Sequence, residues 1–172
     1  MDPRYPIGRY QAQPYSVAQK EAWLNDLLFL PQKLEMSILN LNDTHFDMPY
    51  REGGWQIKQV VHHVADSHMM AYTRFKLALT EENPRISPYK EALWAELSDS
   101  SLAVNISITL LHCLHNRWYS ILKNMSDEDW QRTLYHPQHD KNISLWDMLA
   151  IYAWHGNHHV AHITEFRKIN EL

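Results

Sequence analysis

The sequence predicts an all-α fold, a four-helix bundle, from three observations. Four long segments carry apolar residues every three or four positions, glycine occurs only four times, and no strand-like alternation separates the segments. With 172 residues and 45% hydrophobic content, the chain reads as one domain, 1–172. Residues 1–15, rich in Pro, Tyr and Gln, read as an extended arm.

Ser16 is the expected N-cap of a first helix over about 17–41. Its stripe is Trp23, Leu27, Leu30, Leu34, Ile38 and Leu41, and Pro31 inside it is expected to kink or break the helix. Residues 43–54 read as a loop. The second helix, about 55–79, carries Ile57, Val60, Val61, Val64, His68, Tyr72, Phe75 and Leu79 on one face. A polar connection, 81–88, leads to a short helix over 89–97. The third long helix, about 101–124, has Ile106, Leu110, Leu114, Trp118 and Leu122 in step. Ser126-Asp127-Glu128-Asp129 has the N-cap and acidic first turn of a short helix. His136 to Asn142 reads as a loop, and Ser144 caps the last helix, about 145–169.

Composition excludes several function classes. The formal charge is −4, the sequence pI is near 6.3, and Lys and Arg form no basic stripe, so no nucleic-acid partner is expected. No run approaches the roughly 20 apolar residues of a membrane span. Met1-Asp2-Pro3-Arg4-Tyr5-Pro6 lacks the apolar core of a secretory signal. Cys113, the one cysteine, allows no internal disulfide, so a soluble cytoplasmic protein is the default expectation. With no acid or base spaced to activate it, Cys113 reads as a small buried hydrophobe rather than a nucleophile.

Twelve histidines are the chemical signal. On the last helix, Leu145, Met148, Leu149, Tyr152, Ile163 and Phe166 share a face, and His155 and His159 fall inside it one turn apart. Two histidines at i and i+4 bring both rings to one ion. The alternative is a pair of core histidines hydrogen-bonded to carbonyls, since a buried neutral ring left without a partner costs about 1–3 kcal/mol. On the second helix, periodicity nominates His68, in mid-stripe. His63 lies to one side with Ser67, Met70 and Ala71, while His62 points nearly the other way and reads as exposed or supporting. His158 reads as solvated and His162 as a hydrogen-bonding residue at the edge of the face. His45, His112, His115, His136 and His139 show no recurring spacing and receive no role. The tryptophans read as core or pocket-lining packing.

Taken together, several segments resemble the DinB/YfiT-like metal-binding four-helix proteins, the YfiT subgroup above all, along nearly the whole chain. The carrying segments are Tyr5-Pro6-Ile7-Gly8, Pro49-Tyr50-Arg51-Glu52-Gly53-Gly54-Trp55, Val60-Val61-His62-His63-Val64-Ala65-Asp66-Ser67-His68, Arg74-Phe75-Lys76 and Tyr152-Ala153-Trp154-His155-Gly156-Asn157-His158-His159-Val160-Ala161-His162-Ile163. The resemblance implies an up-down-down-up bundle, a homodimer, and one divalent metal ion per chain, Zn2+ by cellular default with Ni2+ the other candidate. It places the second-helix ligand at His63, the histidine before an apolar-Ala pair, and the other two at His155 and His159. The third ligand therefore comes from the resemblance, against the periodicity that favours His68.

Members of the subgroup are associated with metal-dependent hydrolysis and with bacillithiol S-transfer. The resemblance thus implies small-molecule partners: a low-molecular-weight thiol and an electrophilic substrate. Three neutral imidazoles leave coordination positions open, as catalytic rather than closed structural sites do. Hydrolysis without any thiol and a non-catalytic metal-binding module are the rival readings. Asp66, Glu165 and Tyr152 are nominated as nearby proton acceptors.

Overall fold

A computed structural model of the chain describes residues 2–172. Four long helices form the bundle: α1 (Val17–Ile38), α3 (Ile57–Thr80), α5 (Asn105–Leu122) and α7 (Leu145–Ile169). Short helices α2 (Asp43–Asp47), α4 (Glu91–Trp94) and α6 (Asp127–Gln131) lie in the connections, and a 3-10 turn at Ser98–Ser101 precedes α5. The expected caps form: Ser16 accepts from the Gln19 N–H, Ser126 from Asp129 and Ser144 from Asp147.

Side-chain contacts fix the helix directions. Leu30 meets Gly156 and the Ser37 carbonyl meets Arg167, so α1 and α7 run parallel. His62 meets Ser107 and His68 meets His115, so α3 and α5 also run parallel. Arg74 reaches back to Tyr152 while His63 faces His159, which makes α3 and α7 antiparallel. The order is therefore up-down-down-up, with α1 and α3 on opposite corners.

Several expectations need correction. Residues 43–54, read as a loop, begin with the short helix α2. α1 does not break at Pro31: the carbonyl that the missing N–H leaves free, that of Leu27, takes a 2.6 Å hydrogen bond from His115 Nδ1. The core face of α5 is rotated from the expected stripe. Ile108, Leu111, His115, Trp118 and Leu122 are buried, whereas Ile106 and Leu110 are exposed. That rotation also turns Cys113 outward, so it is an exposed thiol rather than a buried hydrophobe. Finally, the stretch read as a loop from His136 belongs to an antiparallel hairpin, β1 (Thr133–His136) and β2 (Lys141–Ser144). Leu134 and Ile143 point from it into the core.

The core has two apolar clusters. One gathers Phe75, Trp118, Trp130, Leu134 and Leu145; the other gathers Leu34, Ile57, Val61, Leu111 and Phe166. At the middle of every long helix but α1 stand histidines: His68 on α3, His115 on α5, His155 and His159 on α7. Burying this many imidazoles requires that each ring nitrogen find a partner.

The arm lies along α7 in the opposite direction. Three α7 side chains spaced eight residues apart contact its carbonyls: Trp146 Nε1 donates to Gln13 at 2.9 Å, Trp154 Nε1 to Gly8 at 3.3 Å, and His162 Nε2 to Arg4 at 3.3 Å. Trp146 and Trp154 are thus clasps for the arm as well as packing residues.

Candidate metal centre

α3 and α7 meet in the histidine layer. His63, His155 and His159 each bring one ring nitrogen within 4.8 Å of the other two. The Nε2 atoms of His63 and His155 are 3.2 Å apart. This is close to the roughly 3.3 Å edge of a tetrahedron whose metal–nitrogen bonds are about 2.0–2.1 Å. Three imidazoles on this spacing could hold one divalent ion and leave a position open. Burial supplies the required protonation state: it pushes His63 down to about 4, and His155 and His159 well below the usual imidazole range. Neighbouring histidines add to the effect at His155 and His159. All three rings are therefore neutral at pH 7, with a lone pair available.

His68 is not at the point of convergence. It is fully buried behind His155, with its Nε2 3.3 Å from His155 Nδ1. The centre of a helical stripe faces the middle of the core, whereas the convergence point lies between α3 and α7, on the side where His63 projects beside Trp55.

Behind His159 stands His162. Its Nε2–H donates to the Arg4 carbonyl, so its Nδ1 must accept, and the His159 Nδ1–H donates to it at 3.4 Å. The expected hydrogen-bonding role of His162 is thus what the structure shows. His62 and His158 are both buried, so His158 is not solvated and, of the two readings of His62, exposure is ruled out. His62 bonds the Ser107 hydroxyl at 2.7 Å and the Leu102 carbonyl at 3.0 Å, and His158 stacks on Trp154.

Two of the three nominated proton acceptors have other engagements. Tyr152 accepts a hydrogen bond from Arg74, and burial pushes its phenol up. Glu165 pairs with Lys168 at 2.6 Å. Half-buried Asp66 is pushed up to about 6 by burial, with Asp99 adding to it.

His159 opens onto a cavity of about 350 Å3 lined also by Arg4, Tyr50, Arg51, Trp55 and His158. Arg51 gives its wall positive charge, while the Arg4 guanidinium is paired with the Asp2 carboxylate at 2.9 Å. Periodicity gave no signal for these wall residues, although Tyr50, Arg51 and Trp55 fall in one of the segments that carry the family resemblance. His115 was legible in principle: it continues the 111, 115, 118, 122 spacing of the true α5 face.

Known proteins match this arrangement closely. The DinB superfamily pattern matches residues 27–163. A Bacillus pumilus protein with the provisional name metal-dependent hydrolase is 46% identical over 169 residues, 98% of this chain and 97% of its own. A relative from Oceanobacillus iheyensis with the same provisional name is 47% identical, covering 98% of both chains. Among solved structures, YfiT from Bacillus subtilis is 44% identical over 99% of both chains with a TM-score of 0.96. It is described as a probable metal-dependent hydrolase with an unusual four-helix bundle topology.

Proposed function

The chain belongs to the DinB superfamily, and on that premise we propose that it is a metal-dependent enzyme whose divalent ion is held by His63, His155 and His159. The reaction proposed is transfer of a low-molecular-weight thiol, bacillithiol in organisms that make it, onto an electrophile. The observation that carries this reading is the convergence of three neutral imidazoles beside an open, cationic cavity. Zn2+ is the ion an all-imidazole set takes by default, and Ni2+ also fits it. Bound there, such an ion supplies Lewis acidity that lowers the pKa of a coordinated thiol or water.

The chain's own residues do the rest. His63, His155 and His159, as neutral ligands, would leave the charge of a bound ion uncompensated, which would favour a thiolate over a neutral thiol beside it. Arg51 lines the cavity without a carboxylate partner among the described residues and favours an anionic thiol carrier. Tyr50 and Trp55 offer apolar wall to the acceptor. The thiolate sulfur forms a bond to the electrophilic carbon, the leaving halide or opened epoxide oxygen takes the electron pair, and the thiol proton passes to solvent.

Hydrolysis is the second reading, favoured by the relatives' provisional names. A purified-protein assay separates the two, using thiol plus a chlorinated or epoxide acceptor with and without added Zn2+. Metal-dependent conjugate formation supports the proposal, and metal-dependent turnover without thiol supports hydrolysis. Metal uptake without either turnover leaves a binding module.

The homodimer implied by the resemblance has candidate surface in exposed Phe29 and Met36 on α1 and Ile106 and Leu110 on the adjoining α5. Sedimentation at a dimer's mass is the expected result. Among the described residues, no helix is long and apolar enough to cross a membrane.

A further inference from the structure

The deepest histidines, His68 and His115, are left without a task by the centre just described, yet their ring nitrogens form an unbroken line to it. His115 Nδ1 is 2.6 Å from the Leu27 carbonyl. His115 Nε2 is 3.1 Å from His68 Nδ1, and His68 Nε2 is 3.3 Å from His155 Nδ1. One end of this line has no choice of direction. A carbonyl only accepts, so His115 Nδ1 carries the proton. In a neutral ring the other nitrogen then accepts. His68 must donate through Nδ1 and accept at Nε2, and His155 must donate through Nδ1. The proton positions propagate from one end to the other, and the His155 Nε2 lone pair is left facing His63 Nε2.

The line begins where α1 contains a proline. In a regular helix the Leu27 carbonyl would be taken by the N–H four residues on, but that residue is Pro31, which has none. An acceptor at full strength is thereby exposed inside the core, where His115, 1% exposed, occupies it.

We infer that His68 and His115 are positioning residues. A three-imidazole relay, anchored on the carbonyl that Pro31 frees, fixes the tautomer and ring orientation of His155 so that its Nε2 faces the metal. The inference rests on the three-histidine reading of the centre. Metal-bound histidines generally donate their second N–H to a carbonyl, carboxylate or water, and losing that partner typically costs 10–100-fold in affinity. Here the carbonyl acts through two intervening rings, each polarised by the next.

The test is a long-range 1H–15N correlation spectrum of the metal-free full-length protein with 15N-labelled histidine, which reports directly which nitrogen of each ring carries the proton. The expected result is Nδ1–H on His115, His68 and His155. His115→Gln, which retains one donor and one acceptor, should keep that pattern. His115→Phe should leave His155 a mixture of tautomers and weaken Co2+ binding about 10–100-fold, while Gln retains most of the affinity. Nε2–H on His155 in the wild type overturns the relay without need of any variant. So does Co2+ affinity in His115→Phe equal to wild type. Failure of the wild type to bind Co2+ or Zn2+ would instead remove the metal centre while the tautomer measurement stands.

Discussion

His155 and His159 lie one turn apart on the same helix, yet they are held from opposite directions by different kinds of structure. Behind His155 is the core: His68 at 0% and His115 at 1% exposure, ending on a carbonyl of α1. Behind His159 is the edge of the fold: His162, itself buried, ending on the Arg4 carbonyl of the exposed N-terminal arm. Both lines end on a main-chain acceptor and both leave Nε2 of the ligand free. Each proposed ligand thus has a defined acceptor behind it, supplied for one by buried core and for the other by a strapped-down arm. Their tolerance of damage should differ, because solvent can replace a lost partner at the arm but not in the core.

The largest expected effect should not distinguish the two sides. His155→Ala and His159→Ala each remove a proposed ligand, and both should reduce metal-dependent conjugation to background in a direct product assay. An active variant of either would break the symmetry of the centre.

Backing residues should separate them. His68→Phe is expected to lower Zn2+ affinity about 10–100-fold in a chelator competition, and His162→Phe by less, because water can reach His159 where the arm lies. Equal losses would erase the contrast between core and arm.

Acid sharpens the same comparison in the metal-free protein. His115 is pushed down to about 4 by burial, against 6.5 in the unfolded chain. Below 6.5 the unfolded state takes up a proton that the folded state refuses, so stability is present above that pH and is lost as pH falls toward 4. The shift corresponds to about 3 kcal/mol for such a deeply buried group. Urea unfolding of the wild type at pH 7 and pH 5 should show falling stability, and His115→Gln should flatten the slope.

The smallest effect concerns the seam between α1 and α7. A Cβ on Gly156 would lie 2.6 and 2.8 Å from the Leu30 methyls. Gly156→Ala should therefore destabilise through crowding, by about 1–2 kcal/mol after the gain of about 1 kcal/mol in helix propensity. Because Gly156 adjoins His155, metal affinity should weaken more than it does in an arm-side variant such as Arg4→Ala. Thermal melts and a Zn2+ titration check both.

Much of this was legible in the sequence. Ser16 and Ser144 capped their helices as read, α7 runs from Leu145 to Ile169 as expected, and the i, i+4 histidine pair falls on its inner side. The α5 face is hard to place from sequence because apolar residues extend well over half of the way round that helix: Ile106, Ile108, Leu110, Leu111 and Leu114 fit more than one stripe. The hairpin escaped because four-residue strands give period-2 alternation too little length to register. Pro31 was read by its local rule, which holds unless another residue takes up the carbonyl left free; His115, 84 positions away in the chain, does so. His68 shows the limit most sharply. Periodicity found a histidine at the centre of the stripe, but not whether such a residue meets the convergence point or stands behind it.

His63 and His68 are the two candidates for the third ligand on α3, and metal content separates them most directly. Elemental analysis of protein purified without chelator should give one divalent ion per wild-type chain and almost none for His63→Ala. His63→Ala retaining one ion per chain would contradict the centre as assigned.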